Sequence, residues 1–192
     1  MNTSLLVAGF GAFPGQRVNP ARQAAEALAR RRAAFALSGI DLHVAVLPAD
    51  HAELSPILCR LFARTAPDAV LLLGVAARRE TLTIETRARN RVTLLRPDAA
   101  RQTPWSREIV HGAPENFASP APAARLAARA RAHGVAARVS HDAGAYLCNE
   151  AFYLSLLMDR RAVFVHLPDW RGARLDKTLP ALEALAKAFA FA

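Results

Sequence analysis

Apolar positions along this chain come in short unbroken runs, separated by stretches in which they recur every three or four residues. Residues 4–10, 42–47, 68–73, 135–139 and 162–167 are runs of the kind that fill a strand buried on both faces. Over 81–90 the pattern becomes alternation, with Leu82, Ile84 and Thr86 on one side, which predicts a further strand. Between these runs, 50–64 turns Leu54, Ile57, Leu58 and Leu61 to one face of a helix. Residues 121–133, 149–160 and 177–191 are helical by the same criterion, the second extending a stripe of Leu147, Ala151, Leu154 and Met158. Asn19-Pro20 opens another helix, Asn19 as N-cap and Pro20 at the first helical position, where no N–H is needed. Residues 91–119 are aperiodic and proline-punctuated, and are expected to form an ordered flap or loop excursion.

Strands alternating with helices from end to end predict an α/β fold, a mainly parallel sheet covered on both faces. With no internal repeat or linker, 1–192 reads as a single domain. A chain of this length buries on the order of 70% of its unfolded surface, enough for a full core. Sites in such sheets gather at the carboxyl ends of the strands. Phe10, Gly74 and His166 fall at or near such ends, and Cys148 opens the helix after one.

Composition narrows the function classes. Hydrophobic residues make up 53% of the 192, which excludes general disorder. The 25 Lys+Arg against 16 Asp+Glu give a formal charge of +9, and only Lys177 and Lys187 of those cations are lysines. Arginine among many alanines reads as the coding bias of a GC-rich genome, although a basic field also attracts phosphate. The arginines are scattered, in runs as short as 30–32, 78–79 and 160–161, and aromatic residues are not interleaved with them. The surface therefore reads as solvated and not as a nucleic-acid interface. No apolar stretch nears the roughly 18 residues that span a membrane, and the first residues lack the basic region of a signal peptide. A cytoplasmic, reducing setting is expected. Cys59 and Cys148 match neither zinc-ligand nor disulfide-framework spacing, so no metal is implied. Cys59, within a helical segment, is expected to be buried and inert.

Cys148 carries the sharpest chemical signal, on a strand-to-helix turn where unpaired N–H groups and the helix dipole favour an anion. A thiol there is expected to have its pKa lowered from about 8.5, and the same N–H groups, at Leu147 and Cys148, suit the oxyanion of an acyl intermediate. His166, closing the last strand run, is the expected base. A hydrogen-bonded core histidine is the alternative reading, and His141 is a rival base by its nearness to Cys148 in sequence. His43, His51, His111 and His133 read as surface or loop residues. A carboxylate at Glu85 could hold the imidazole in the right tautomer. By pattern alone Glu85 reads as an exposed strand residue paired with Arg87 or Arg89, and Glu80 competes for the role. Gly9-Phe10-Gly11-Ala12-Phe13-Pro14-Gly15 superficially matches a dinucleotide turn, yet Phe13 and Pro14 obstruct a phosphate and the helix waits until Asn19. Two phenylalanines at a sheet's carboxyl edge suit a small, neutral, flat ligand.

Leu6-Val7-Ala8-Gly9-Phe10-Gly11-Ala12-Phe13 with Val18-Asn19-Pro20, then Ala143-Gly144-Ala145-Tyr146-Leu147-Cys148-Asn149, then Val163-Phe164-Val165-His166-Leu167-Pro168, resemble the pyroglutamyl peptidase I (C15) cysteine peptidases. The matching segments run in the same order over nearly the whole chain, with a looser match over 85–90. The resemblance implies a three-layer α/β/α sandwich with a mostly parallel, mixed central sheet, a homotetramer or homodimer, and no cofactor. It implies a triad of Cys148, His166 and Glu85 that removes an N-terminal pyroglutamate from blocked peptides through a thioester. Phe10 and Phe13 match positions that sandwich the lactam, and Asn19, Val75, Leu147 and Arg96 are carried over as further substrate-binding positions, with Arg91 or Arg96 assisting the oxyanion.

The chain departs from the family pattern at several places. Val75 stands where the family has a glutamine beside the lactam, Ala77 and Arg78 replace two glycines, Thr86 replaces an arginine and Glu150 a histidine. A lactam amide left unpaired costs on the order of 1–3 kcal/mol, enough to redirect specificity. Three functions stay open on the sequence. They are pyroglutamyl hydrolysis, hydrolysis of another small N-terminal group or lactam by the same nucleophile, and a non-catalytic basic binding surface.

Overall fold

The computed structural model describes residues 2–13, 17–170 and 172–192. In chain order its elements are β1 (Thr3–Phe10), α1 (Pro20–Ala29), α2 (Arg32–Ala36), β2 (Ile40–Leu47), α3 (His51–Thr65), β3 (Ala69–Val75), β4 (Leu82–Glu85), β5 (Arg87–Arg89), β6 (Asn116–Ala118), α4 (Ala123–Ala132), β7 (Ala137–Ser140), α5 (Leu147–Leu157), β8 (Ala162–Leu167) and α6 (Ala173–Ala190).

Six strands form one sheet in the order β2-β1-β3-β8-β4-β7. The first four run parallel, β4 runs against β8, and β7 follows β4. The sheet is thus mostly parallel but mixed. β3 and β8 are buried almost throughout, which is why their sequences are near-continuous apolar runs, while edge strand β7 is half exposed. Alternate residues of each strand feed two cores. Leu5, Val7, Leu71 and Val165 pack under α1, α4 and α6. Leu6, Ala8, Leu72 and Phe164 pack under α3 and α5. The result is a three-layer α/β/α sandwich. A side chain at Gly9 would overlap the Ala21 carbonyl, so the close approach of α1 to β1 requires glycine there.

Local chemistry starts the helices where the sequence places them. The Asn19 side chain accepts from the Ala21 N–H with Pro20 following it, and Asp50 caps α3 through the N–H groups of Ala52 and Glu53. Elsewhere the structure departs from expectation. The 81–90 segment is two strands, because at Thr86 both the N–H and the hydroxyl turn to the Ser140 carbonyl and the chain leaves the sheet. β5 then pairs with β6 in a separate ribbon. α5 and α6 begin two and four residues earlier than expected, and the five-residue α2 was not foreseen. Because β7 runs with β4 against the other four strands, β7 does not end at their common carboxyl edge, and residues 141–146 carry the chain back to it before α5 begins. Cys59 is exposed, not buried. It follows Leu58 of the buried stripe by one residue, about 100° further round the helix.

The 91–119 excursion is tied down mainly by α5. Asn149 donates to the carbonyls of Arg89 and Arg91 and accepts from the Arg89 N–H, and the Tyr153 hydroxyl donates to the Pro114 carbonyl. The Tyr146 hydroxyl, just before α5, donates to the Pro97 carbonyl. No helix among the described residues is long and apolar enough to cross a membrane. The Pro14-Gly15 end of the first loop lies outside the described residues.

Candidate active site

Sheet register assembles the site. His166 on β8 faces Gly74 on β3 and Thr83 on β4, and two residues back Phe164 faces Glu85. Ladder partners share a face and residues two apart share a face. His166, Phe164, Glu85 and the bare side of Gly74 therefore all point toward the α3/α5 layer. A Cβ built on Gly74 would lie 2.8 Å from the Cys148 sulfur and 2.6 Å from Phe164 Cζ. The thiol thus rests against the naked backbone of Gly74, one strand over from His166, and only glycine leaves it room.

Behind the imidazole, His166 Nδ1 lies 2.8 Å from Glu85 Oε1, with Glu85 fully buried and His166 at 4% exposure. With Nδ1–H donating to the carboxylate, Nε2 is the unprotonated nitrogen of the neutral ring. Arg79 donates to the same carboxylate oxygen and, through Nη2, to the Asp142 carbonyl at 2.8 Å. One guanidinium thereby ties the carboxylate to the loop that leads to the cysteine.

The protonation states follow from this packing. Burial pushes Glu85 up, but hydrogen bonding by the side chains of His166, Ser140 and Arg79, together with the charge of His166, outweighs it and holds the carboxyl below its ordinary value. Burial pulls His166 down more than Glu85 lifts it. Burial also pushes the Cys148 thiol up to about 12, against the lowering pull of Arg96 and Arg79 and with Glu85 adding to the rise. The side chain opens onto the cavity on one side only, and enclosure by protein on the others decides the direction. This overturns the expected low thiol pKa, because the partial charge at a helix start is outweighed by the cost of desolvating a thiolate. At rest the site holds a neutral thiol, a neutral imidazole and a carboxylate.

A cavity of about 750 Å³ opens above the sulfur. Phe10, Phe13, Asn19, Val75, Leu147, Arg96, Cys148 and His166 all line it, and Glu85 stands behind His166. Asn19 has no free polar end, since Nδ2 donates to the Gly11 carbonyl at 2.7 Å and Oδ1 caps α1. Arg96 lies over the rings of Phe13 and Tyr146, its guanidinium carbon 5.5 and 4.4 Å from their centroids. Arg91 and Glu80 do not line the cavity. His141 is exposed and paired with the Thr86 hydroxyl. Glu85 is neither exposed nor paired with Arg87 or Arg89. His51 is not a surface residue either, because its Nδ1 lies 2.5 Å from Glu150 Oε2 and both side chains are 10% exposed. Its ring also meets the Tyr146 ring edge-on. Neither Ala77 nor Arg78 adopts positive φ, so the glycine replacements do not strain the loop after β3. No three His, Cys, Asp or Glu side chains among the described residues come together as a metal site.

Sequence reasoning missed Arg79, the Asn149 strut and the His51–Glu150 pair. Arg79 sits in the segment already singled out for its departures and Asn149 directly follows the cysteine, but their partners lie 6 to 63 and 58 to 60 residues away. Local pattern carries no signal over such separations.

A thiol against a strand-end glycine, an imidazole on the neighbouring strand lining the same cavity and a buried carboxylate behind it, inside an α/β/α sandwich, suit the class of cysteine hydrolases. Residues 3–183 match the family model described as pyroglutamyl peptidase, and the chain belongs to that family. It is 33% identical over 193 residues to a pyrrolidone-carboxylate peptidase of Thermococcus onnurineus, covering 96% of this chain and 94% of the relative. It is 34% identical to another from Streptomyces coelicolor, over 94% of this chain and 84% of that one. Among solved structures it is similar to pyroglutamyl peptidase I of Bacillus amyloliquefaciens, with a TM-score of 0.86, 26% identity, and coverage of 100% and 98%. It is likewise similar to pyrrolidone carboxyl peptidase of Thermus thermophilus, with a TM-score of 0.84, 33% identity, and coverage of 95% and 98%.

Proposed function

We propose that this chain hydrolyses the bond after an N-terminal pyroglutamyl residue of a blocked peptide, with Cys148 as nucleophile, His166 as acid and base, and Glu85 as its orienting carboxylate. In this reading the Cys148 sulfur attacks the pyroglutamyl carbonyl carbon while His166 Nε2 takes the thiol proton. The tetrahedral oxyanion is met by the backbone N–H groups at Leu147 and Cys148, each such donor being worth roughly 2.7–4 kcal/mol. The C–N bond then breaks, the imidazolium delivers its proton to the leaving amine, and the thioester remains. Water attacks the thioester with His166 as base, the carbon–sulfur bond breaks, and the thiolate recovers the proton as pyroglutamate departs. Because thiol and imidazole are both neutral at rest, proton transfer accompanies attack and does not precede it.

The observation that carries the reading is the His166–Glu85 bond, on the strand next to the Gly74 that accommodates the Cys148 sulfur, with His166 and Cys148 lining one cavity. Phe10, Phe13 and Val75 give the cavity an apolar wall suited to a neutral five-membered ring. Val75 also favours a second reading, a same-family hydrolase acting on another small N-terminal group or lactam, since it offers the ring no side-chain hydrogen bond. The reading further takes 1–192 as one peptidase domain, acting in the cytoplasm as a homodimer or homotetramer. Exposed Leu37, Leu95 and Trp105 are apolar surface available for such association, and light scattering of the purified protein measures it. Pyroglutamyl, prolyl and alanyl reporters assayed with wild type and Cys148→Ala decide the substrate. The expected result is pyroglutamyl turnover lost in the variant, whereas turnover of another reporter alone supports the second reading.

A further inference from the structure

The described lining of the cavity contains three arginines, Arg78, Arg79 and Arg96, and no aspartate or glutamate. Arg79 is committed to Glu85 and to the Asp142 carbonyl. The other two have no carboxylate partner among the described residues. Arg96 lies over the faces of Phe13 and Tyr146, and among the described residues its guanidinium N–H groups have no carboxylate to meet. Asp98, two residues further on, is buried and turned away from it, accepting from the backbone N–H groups of His51 and Gln102. Arg78 stands exposed on the loop after β3 with an unstrained backbone. Two guanidinium groups lining one cavity without a carboxylate partner among the described residues focus a positive field into it.

We propose that Arg78 and Arg96 form an anion subsite that reads a carboxylate on the leaving side of the scissile bond. Preferred substrates then carry aspartate or glutamate, or the free carboxylate of a dipeptide, directly after the blocked residue. The inference rests on the pyroglutamyl reading, because the lactam is neutral and the charge these cations attract has to lie across the bond from it. The space is consistent, since a cavity of about 750 Å³ is far larger than one lactam ring requires. Guanidinium groups match carboxylates in paired N–H···O geometry, which favours a carboxylate over a bare halide or a carbonyl.

The test compares kcat/KM for C-terminally amidated pyroglutamyl-Asp, pyroglutamyl-Asn and pyroglutamyl-Lys peptides. Aspartate and asparagine share a shape, so their ratio isolates the charge. Exposed cations predict a preference of about five-fold for aspartate over asparagine, with lysine below both. The ratio should fall toward one in Arg78→Gln and in Arg96→Gln, and on raising salt from about 0.05 to about 0.5 M. Taking the ratio within each enzyme cancels any general loss caused by the substitution. A wild-type ratio of one or less, or a ratio indifferent to both substitutions, overturns the subsite while pyroglutamyl turnover leaves the parent reading standing. Absence of turnover with every pyroglutamyl peptide overturns the parent reading and the subsite with it.

Discussion

Behind the sulfur, Glu85 is fully buried, His166 nearly so, and Arg79 binds the carboxylate to the cysteine loop. In front of it, Arg78 and Arg96 are exposed, and Arg96 lies over the rings of Phe13 and Tyr146. The rear is built from strand register, in which His166, Gly74, Thr83, Phe164 and Glu85 take their places from one ladder and its neighbours. The front is built from loops, the 76–79 turn and the 91–119 excursion, which tolerate substitution far better than a central strand does. Of the departures from the family pattern, Ala77 and Arg78 lie in that turn and Val75 ends β3 just before it, while Thr86 follows Glu85 and Glu150 pairs with His51; the carboxylate, imidazole and thiol are kept. In the proposed function the chemistry depends on the sheet, and the choice of substrate mainly on the loops around it.

The largest effect is expected from Glu85→Gln, which keeps the shape of the rear and removes its charge. The amide no longer enforces Nδ1–H on His166, and Arg79 loses its carboxylate. Carboxylate-to-amide changes of this kind lower kcat on the order of 10⁴-fold. Single-turnover rates on a pyroglutamyl reporter measure the loss, and thermal melting separates it from unfolding. A loss below ten-fold in a folded variant removes the rear from the chemistry and breaks the contrast between the two regions.

The resting protonation states sharpen the same contrast through pH. With His166 depressed below its ordinary value near 6.5, its base form persists to lower pH than that of a free histidine. Activity should therefore rise with pH through a midpoint below about 6.5 and stay level above it. With the thiol raised to about 12, iodoacetamide should label Cys148 slowly at neutrality, at a rate that climbs through the alkaline range. A fast, pH-independent rate near pH 7 indicates a thiolate at rest, which would place the helix start above burial in setting the thiol.

Much of the fold could be read from local pattern because local pattern causes it. The runs at 4–10, 68–73 and 162–167 are apolar since both faces of their strands are buried, and Asn19-Pro20 starts a helix by its own chemistry. The reversal of β4 and β7 carried no such mark, because strand direction is decided by which partners meet, not by residue type. At the site, Cys148 and His166 stood out as polar groups at element ends. Glu85 did not, because its partners His166 and Arg79 are brought to it by the sheet and by a turn, and alternation alone left it looking exposed. The thiol pKa was misread for a related reason, since a helix start is visible in sequence and the depth of burial around it is not.

The smallest effect is expected at Asn19, a cavity-lining residue whose polar atoms both serve the scaffold. Asn19→Ala removes the α1 cap and the tie to the Gly11 carbonyl, and a lost cap of this type costs about 1 kcal/mol. Asn19→Ser keeps a capping oxygen but loses the amide group that donates to the Gly11 carbonyl, so it should fall between wild type and alanine. Urea midpoints measure the order. KM for a pyroglutamyl reporter should follow the same order, because the Gly11 tie holds the loop that carries Phe13. Two variants with wild-type stability and a raised KM would instead put the Asn19 amide in contact with substrate, and would move it from the sheet's account to that of the loops.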